Sequence, residues 1–283
     1  MAEYQPVRVF PVERHGVGRG APELVLDELA VEEPLELRIG GAPQMVTMRT
    51  PGDDLDLCAG WLASEGIIDG WDDVSAMAHV DDPRVPRGNT VDVLLASGFQ
   101  RGLPPGRNRY ASSACGICSL TSLDQICTLA PPLLPAVAIS ERLLYGLPER
   151  LRAAQVVFAR TGGLHAAALF DVRGELLLVR EDIGRHNAVD KCIGAHLRRE
   201  GCFEGLGLLV SARAGLEIVQ KARMLGISLV VCLGAPSSLA VELAKKSGQE
   251  LIGFLNARRL NRYAPIGTLP LATLRGAPEE SAP

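Results

Sequence analysis

Apolar and polar positions first alternate where Leu35, Leu37 and Ile39 interleave with Glu36 and Arg38, the period of a half-buried strand. Gly40-Gly41 supplies a hairpin turn, and residues 44–49 form the partner strand. Thr50-Pro51-Gly52-Asp53 ends that ladder. Asp53 is placed to cap a helix with apolar positions Leu55, Cys58, Ala59 and Leu62, stopped at Gly66. Two further strands follow near 74–80 and 90–96, completing a small α+β unit. Residues 1–22 hold Pro6, Pro11 and Pro22 and show little period, which predicts a poorly ordered lead-in.

After Pro131-Pro132 and Pro135, a linker signal, the rhythm changes. The pattern predicts a helix over about 140–154, broken near Pro148. Strands follow at 165–171 and 175–180 around an Arg173-Gly174 turn, then a helix from Asn187 to Arg199. Strand 206–211, helix 215–225, strand 227–233, helix 237–247 and strand 250–255 complete the series. Leu206–Val210 and Ile227–Leu233 are apolar runs, as strands covered on both faces are. The alternation implies a layered α/β sheet, mostly parallel after its opening hairpin. The expected organisation is a lead-in (1–22), a small α+β domain ending in a cysteine-bearing loop and short helix (23–133), an α/β domain (134–265) and a polar tail (266–283).

Composition narrows the function classes. The 283 residues are 47% hydrophobic, 22% charged and only 4% aromatic, with a net charge of −4. That balance does not suit a phosphate-tracking nucleic-acid binder. Seven cysteines, an odd number without a regular framework, argue against a disulfide-stapled secreted protein. Cys58, Cys192 and Cys232 fall in apolar patterns and are expected in the core. No basic leader precedes an apolar run, and no apolar stretch has the length of a membrane span. A cytoplasmic protein with no membrane contact is the expectation.

The chemistry concentrates at Ser112-Ser113-Ala114-Cys115-Gly116-Ile117-Cys118, after a loop rich in Gly, Pro and Arg. Two thiols two residues apart, among small neighbours and ahead of a short helix over 119–129, favour a reachable thiolate. Such a pair serves as a zinc half-site, a redox dithiol or a sulfur carrier. Zinc would need further ligands, and no second C-x-x-C or H-x-x-x-H exists. A thioredoxin-like dithiol would sit in a small βαβ domain rather than between two domains.

Other clusters fall at strand ends. Thr161-Gly162-Gly163-Leu164-His165 reads as a tight turn into a buried strand, with His165 a hydrogen-bonded core imidazole. Glu181-Asp182-Ile183-Gly184-Arg185-His186-Asn187 starts a helix after a strand, at the carboxyl edge where α/β sheets bind ligands. Arg185 and that helix start suit an anion. Ser211–Gly215 and Gly234–Ser238 emerge at the same edge. Phe254–Tyr263 carries three arginines with aromatics, suited to a phosphorylated, ring-bearing ligand.

At these residues the chain resembles the FdhD family of formate dehydrogenase accessory sulfurtransferases. The segments that carry the resemblance are Ala30–Leu35, Met48–Asp54, Cys115–Cys118, Thr161–Ala167, Glu181–Lys191, Ser237–Ala244 and Gly253-Phe254, in order over about residues 23–265. The resemblance implies a sulfur carrier that takes a persulfide from a cysteine desulfurase. It passes the sulfur to the molybdenum bis(molybdopterin guanine dinucleotide) cofactor, a bound substrate, before formate dehydrogenase receives it. It implies Cys115 as the persulfide-bearing residue, with Cys118 as helper. It also implies Phe254, Leu255, Asn256, Ala257, Arg258 and Arg259 as the cofactor-binding stretch, a homodimer, and a C-terminal domain similar to the cytidine deaminase fold. The deaminase zinc motifs are missing: His186-Asn187-Ala188 and Ser211–Gly215 stand in their places, so no structural metal is expected. The rival reading is a non-catalytic chaperone that only holds the cofactor.

Overall fold

The computed structural model describes residues 5–17, 21–85, 88–97, 123–135 and 137–264. Strand β1 (Val7–Arg14) pairs antiparallel with β2 (Glu23–Ala30) in a two-stranded ribbon. The stretch expected to be an irregular lead-in thus contains a strand. Val7, Val9, Phe10 and Val12 favour extended backbone, and Pro11 is tolerated because β1 has a neighbour on one side only.

Strands β3 (Glu33–Ile39) and β4 (Ala42–Arg49) form the expected hairpin. Gly40 and Gly41 turn it at φ +56° and +80°, conformations that suit glycine. Helix α1 (Asp54–Ser64) follows, then β5 (Val74–His79) and β6 (Thr90–Leu95). The sheet order is β4-β3-β6-β5, with β6 parallel to β3. Asp53 precedes α1 but does not cap it with its side chain. Its backbone is left-handed, at φ 55°, and its carboxylate lies 3.4 Å from the Arg180 guanidinium instead.

Helix α2 (Leu123–Leu129) is the described part of the expected helix after the cysteine pair. The predicted helix over 140–154 is two: α3 (Glu141–Leu144) and α4 (Leu147–Ala154). Pro148 lies in the first turn of α4, where a missing N–H costs nothing. An unanticipated short helix, α5 (Val156–Thr161), then leads to Gly162.

The second sheet is built from β7 (His165–Phe170), β8 (Leu176–Asp182), α6 (Arg185–Leu197), β9 (Gly207–Val210), α7 (Leu216–Met224), β10 (Leu229–Cys232), α8 (Ser238–Ser247) and β11 (Glu250–Gly253). A last strand, β12 (Asn261–Ala264), pairs antiparallel at the edge, within a stretch read only as a basic end. The order is β8-β7-β9-β10-β11-β12. Strands β9, β10 and β11 are parallel, and β7 runs antiparallel to both β8 and β9. The carboxyl ends of β8, β9, β10 and β11 therefore share one edge with the start of β7.

Both faces of this sheet are covered, as the apolar runs required. Ala167, Leu169, Leu208, Val210 and Val230 face α6 and α7, while Ala168, Phe170, Leu209, Val231 and Ile252 pack with Leu144, Leu147 and Leu151. The first of these cores continues through Leu57, Cys58 and Leu62 of α1 into Leu35, Leu37, Val91 and Val93. The crossing of α1 and α6 is close: a Cβ on Gly60 would lie 1.9 Å from the Asp190 carbonyl oxygen, and one on Gly194 1.8 Å from that of Asp56. Cys58, Cys192 and Cys232 are buried, as expected. Burial raises their thiol pKa values, to about 12 for Cys192 and about 11 for Cys232, which keeps them unreactive.

Candidate functional site

The strand ends gather the polar clusters at one sheet edge, but the structure divides them into two jobs. Much of Glu181–Lys191 is a joint. Asp182 is fully buried, with Lys191 Nζ 2.8 Å from Oδ2. The Thr50 N–H donates to Oδ2 at 3.1 Å, and the Gly184 N–H and Asn187 Nδ2 donate to Oδ1 at 2.8 and 3.0 Å. Lys191 also donates to the Thr50 carbonyl at 2.8 Å, and Asn187 to that of Met48 at 2.7 Å. Buried charges persist only when paired and hydrogen-bonded like this. Arg49 in turn grips Asp54 through two bonds of 2.8 and 2.9 Å and donates to Asn89 at 2.9 Å. The two polar motifs at 48–54 and 181–191 thus bind each other across the α1–α6 contact.

A second buried cluster lies beside this joint. Lys221 Nζ is 2.9 Å from both Asp190 carboxylate oxygens and from Ser64 Oγ. His186 Nε2 lies 3.0 Å from Glu217 Oε2. Burial, then Lys221, Arg185 and His165, push the His186 imidazole down to about 3, so it is neutral at physiological pH. Burial raises Glu217. No cluster of three or more His, Cys, Asp or Glu side chains among the described residues is arranged to hold a metal ion.

The remaining polar side chains border open space. A cavity of about 440 Å³ lies where β7 begins, lined by residues of α4 and α5, by Leu164 and His165, and by Ser211 and Leu233 at the ends of β9 and β10. His165 is half-buried here, and its ring has no hydrogen-bond partner among the described residues. It is not the bonded core imidazole that the sequence suggested. Burial and the nearby Arg185 lower its pKa. Helix α5 is held at this cavity because the Glu181 carboxylate accepts the Val157 and Phe158 N–H groups at 2.9 and 2.8 Å. The cavity-lining Arg152, Gln155 and Phe158 were missed in the sequence. They sit in a stretch whose only signal was helix content.

The 254–259 stretch forms a tight loop after β11, next to the cavity wall. The Phe254 N–H donates to the Gly234 carbonyl at 2.9 Å and the Leu255 N–H to that of Cys232 at 3.2 Å. Phe254 has φ 52°, unusual for a bulky residue. Asn256 Oδ1 accepts the N–H groups of Arg258 and Arg259 at 3.0 and 3.2 Å, an Asx-type turn. Leu255 is buried, whereas Asn256, Ala257, Arg258 and Arg259 are exposed. The Arg259 guanidinium lies 5.7 Å from the Phe254 ring centroid. Arg258 has no ion-pair partner among the described residues, leaving its five N–H donors for an anion.

With this geometry in place, comparison with known proteins decides the family. The model of the FdhD/NarQ family matches residues 30–269. The chain belongs to the FdhD/NarQ family.

Its relatives in the FdhD/NarQ family match over most of their length. The chain is 48% identical to the sulfur carrier protein FdhD of Streptomyces avermitilis over 255 residues, which is 87% of this chain and 90% of that protein. It is 46% identical to the protein of the same name from Mycobacterium tuberculosis over 251 residues, 84% of this chain and 90% of that one. A crystal structure assigned to a formate dehydrogenase accessory protein from Desulfotalea psychrophila superimposes with a TM-score of 0.73 at 20% identity. That match covers 92% of this chain and 98% of the other, and it shows a shared mixed α/β fold. Cys115 and Cys118 lie within the family match but outside the described residues.

The chain re-enters the described structure at α2, on the side of the sheet covered by α7 and α8. Asp124 pairs with Lys246 in the last turn of α8, and Arg223 in the last turn of α7 bonds the Pro131 carbonyl. These helices return from the carboxyl edge, so α2 is anchored at the opposite edge.

Proposed function

We propose that this chain is a sulfur carrier that supports the maturation of a formate dehydrogenase. Cys115 takes sulfur from a cysteine desulfurase and passes it to the molybdenum bis(molybdopterin guanine dinucleotide) cofactor, held as substrate at the 254–259 loop. The observation that carries this reading is the family match over residues 30–269, which spans both the cysteine pair and that loop. Relatives at 46–48% identity that bear the name sulfur carrier protein support it. Formate dehydrogenase as recipient, a cytoplasmic setting and a homodimer belong to the same reading, as does a cytidine-deaminase-like second domain.

The loading step balances without an added oxidant. The Cys115 thiolate attacks the outer sulfur of the donor persulfide. One S–S bond forms at Cys115 as the donor's S–S bond breaks, and the donor cysteine leaves as thiolate. Delivery breaks the new bond: sulfur leaves as a neutral atom for the two-electron-reduced metal of the substrate, and Cys115 returns as thiolate. Cys118 is the helper that can resolve a stalled persulfide. Chain length permits delivery. Leu123 is eight residue steps along the chain from Cys115, a tether of at most about 29 Å. The ten-residue helix α8 that separates the two sheet edges is only about 15 Å long.

The test is mass spectrometry after mixing the protein with a cysteine desulfurase and free cysteine. One added sulfur is expected on the wild type and none on Cys115→Ala, which should also fail to restore formate dehydrogenase activity in cells lacking the native carrier. Restored activity with Cys115→Ala would instead favour a chaperone that only holds the cofactor.

A further inference from the structure

Three buried side-chain atoms among the described residues have no hydrogen-bond partner: Thr90 Oγ1, Arg180 Nε and Arg223 Nε. Arg180 Nε still lies 3.4 Å from the Asp53 carboxylate, and the Thr90 hydroxyl is uncharged. Arg223 is the exception. It is only 7% exposed, yet no carboxylate pairs with it among the described residues. One of its terminal nitrogens donates to the Pro131 carbonyl, which holds the guanidinium near the end of α2. A buried cationic donor without an acceptor calls for an explanation.

A thiol lies beside it. Cys127 interacts electrostatically with the Arg223 guanidinium and with the Lys246 ammonium. The helix geometry explains why. Asp124 and Cys127 are three residues apart and share one face of α2. Lys246 of α8 pairs with Asp124, and Arg223 of α7 reaches Pro131 just past the helix end. Cys127 therefore sits between cations brought by two other helices. It is a free thiol, half-buried at the margin of the main core. Cys58, Cys192 and Cys232 are fully enclosed by comparison, and Cys202 is exposed on the loop before β9.

This setting suits an anion one atom longer than a thiolate. A persulfide ionises more readily than a thiol, and its terminal sulfur lies about 2 Å beyond the first. That sulfur can accept the Arg223 Nε–H in the field of Lys246, which gives the orphan donor a charged partner. A half-buried thiol admits a small donor more readily than the active-site cysteine of a protein donor.

We propose that Cys127 is a second sulfur-bearing site, loaded by a low-molecular-weight persulfide and held as the persulfide anion between Arg223 and Lys246. The Cys127 thiolate attacks the outer sulfur of the small persulfide. One S–S bond forms at Cys127 as the donor's S–S bond breaks. The donor leaves as thiolate and takes up the proton that the new persulfide releases, so no oxidant enters. The step does not use Cys115, and it stands apart from the carrier role proposed above.

The experiment equilibrates the full-length Cys115→Ala/Cys118→Ala protein with cysteine persulfide in excess cysteine, without a desulfurase. Alkylation and peptide mass spectrometry then locate the added sulfur, with exposed Cys202 as the internal reference. Occupancy at Cys127 should exceed that at Cys202 at least about tenfold, the worth of a charge-assisted hydrogen bond. Lys246→Met, at an exposed position, and Arg223→Met, with its fold checked by circular dichroism, should each lower Cys127 occupancy severalfold and leave Cys202 unchanged. If Arg223→Met does not fold, Lys246→Met decides alone. Equal occupancy of the two thiols, or occupancy at Cys127 that Lys246→Met leaves unchanged, overturns the proposal. So does an adduct of oxygen or of whole cysteine at Cys127 in place of sulfur. None of these failures touches the loading of Cys115 by a desulfurase, because that reaction is absent from the mixture.

Discussion

At the scale of single residues, the charged groups of this protein sort by whether a partner is already present. Arg258 is exposed on a turn that Asn256 holds open, and its side chain meets no acid among the described residues. Arg258→Ala should therefore weaken GDP binding roughly 10- to 100-fold, the worth of a charge-assisted hydrogen bond, with no change in melting temperature. His186 is the opposite case. It is buried against Glu217 of α7, with Lys221 of α7, Arg185 of α6 and His165 of β7 around it. Its folded pKa of about 3 lies below the ordinary 6.5, so only the unfolded chain takes up a proton between those values. The stability it contributes is complete above about pH 6.5 and declines as pH falls toward 3. The melting temperature should drop on acidification from pH 7 to pH 4.5. In His186→Gln that slope should be shallower; an identical slope would assign the loss to other groups.

At the scale of elements, the contact between α1 and α6 is set by two glycines rather than by an apolar stripe. Gly60 and Gly194 each let one helix approach the other's carbonyl groups, and neither position could accept even a methyl group without a backbone shift. Gly60→Ala and Gly194→Ala should each destabilise the protein by about 1–3 kcal/mol, measured by urea unfolding. Gly201→Ala serves as a contrast. Its added Cβ would meet nothing within 4 Å, and its φ of +73° should cost only the left-handed strain. The helices of the second sheet were legible because Leu216–Met224 and Ser238–Ser247 carry both their period and their end signals, including the Ser237 cap on the Ala240 N–H. Asp53 misled because Asp before a helix normally caps it, and nothing local reveals that Arg180, far along the chain, takes its carboxylate.

At the scale of the whole molecule, the polar motifs that look most like chemistry hold the two halves of the chain together. Lys191 neutralises Asp182 inside the protein, so Lys191→Met should cost about 3–5 kcal/mol by leaving a buried carboxylate unpaired. Pairing it with Asp182→Asn should recover much of that loss, and denaturant melts of the single and double variants would measure the coupling. Periodicity and end signals established the elements of the second sheet and the edge where its loops emerge, because both depend on near neighbours along the chain. The order of those motifs also established the family. Only the tertiary structure separated the joint at Asp182, Asn187 and Lys191 from the open groups at Arg152, His165 and Arg258. A side chain is free or satisfied according to what distant segments bring to it, and here the decisive partners of the joint, Thr47, Met48 and Thr50, lie more than a hundred residues away.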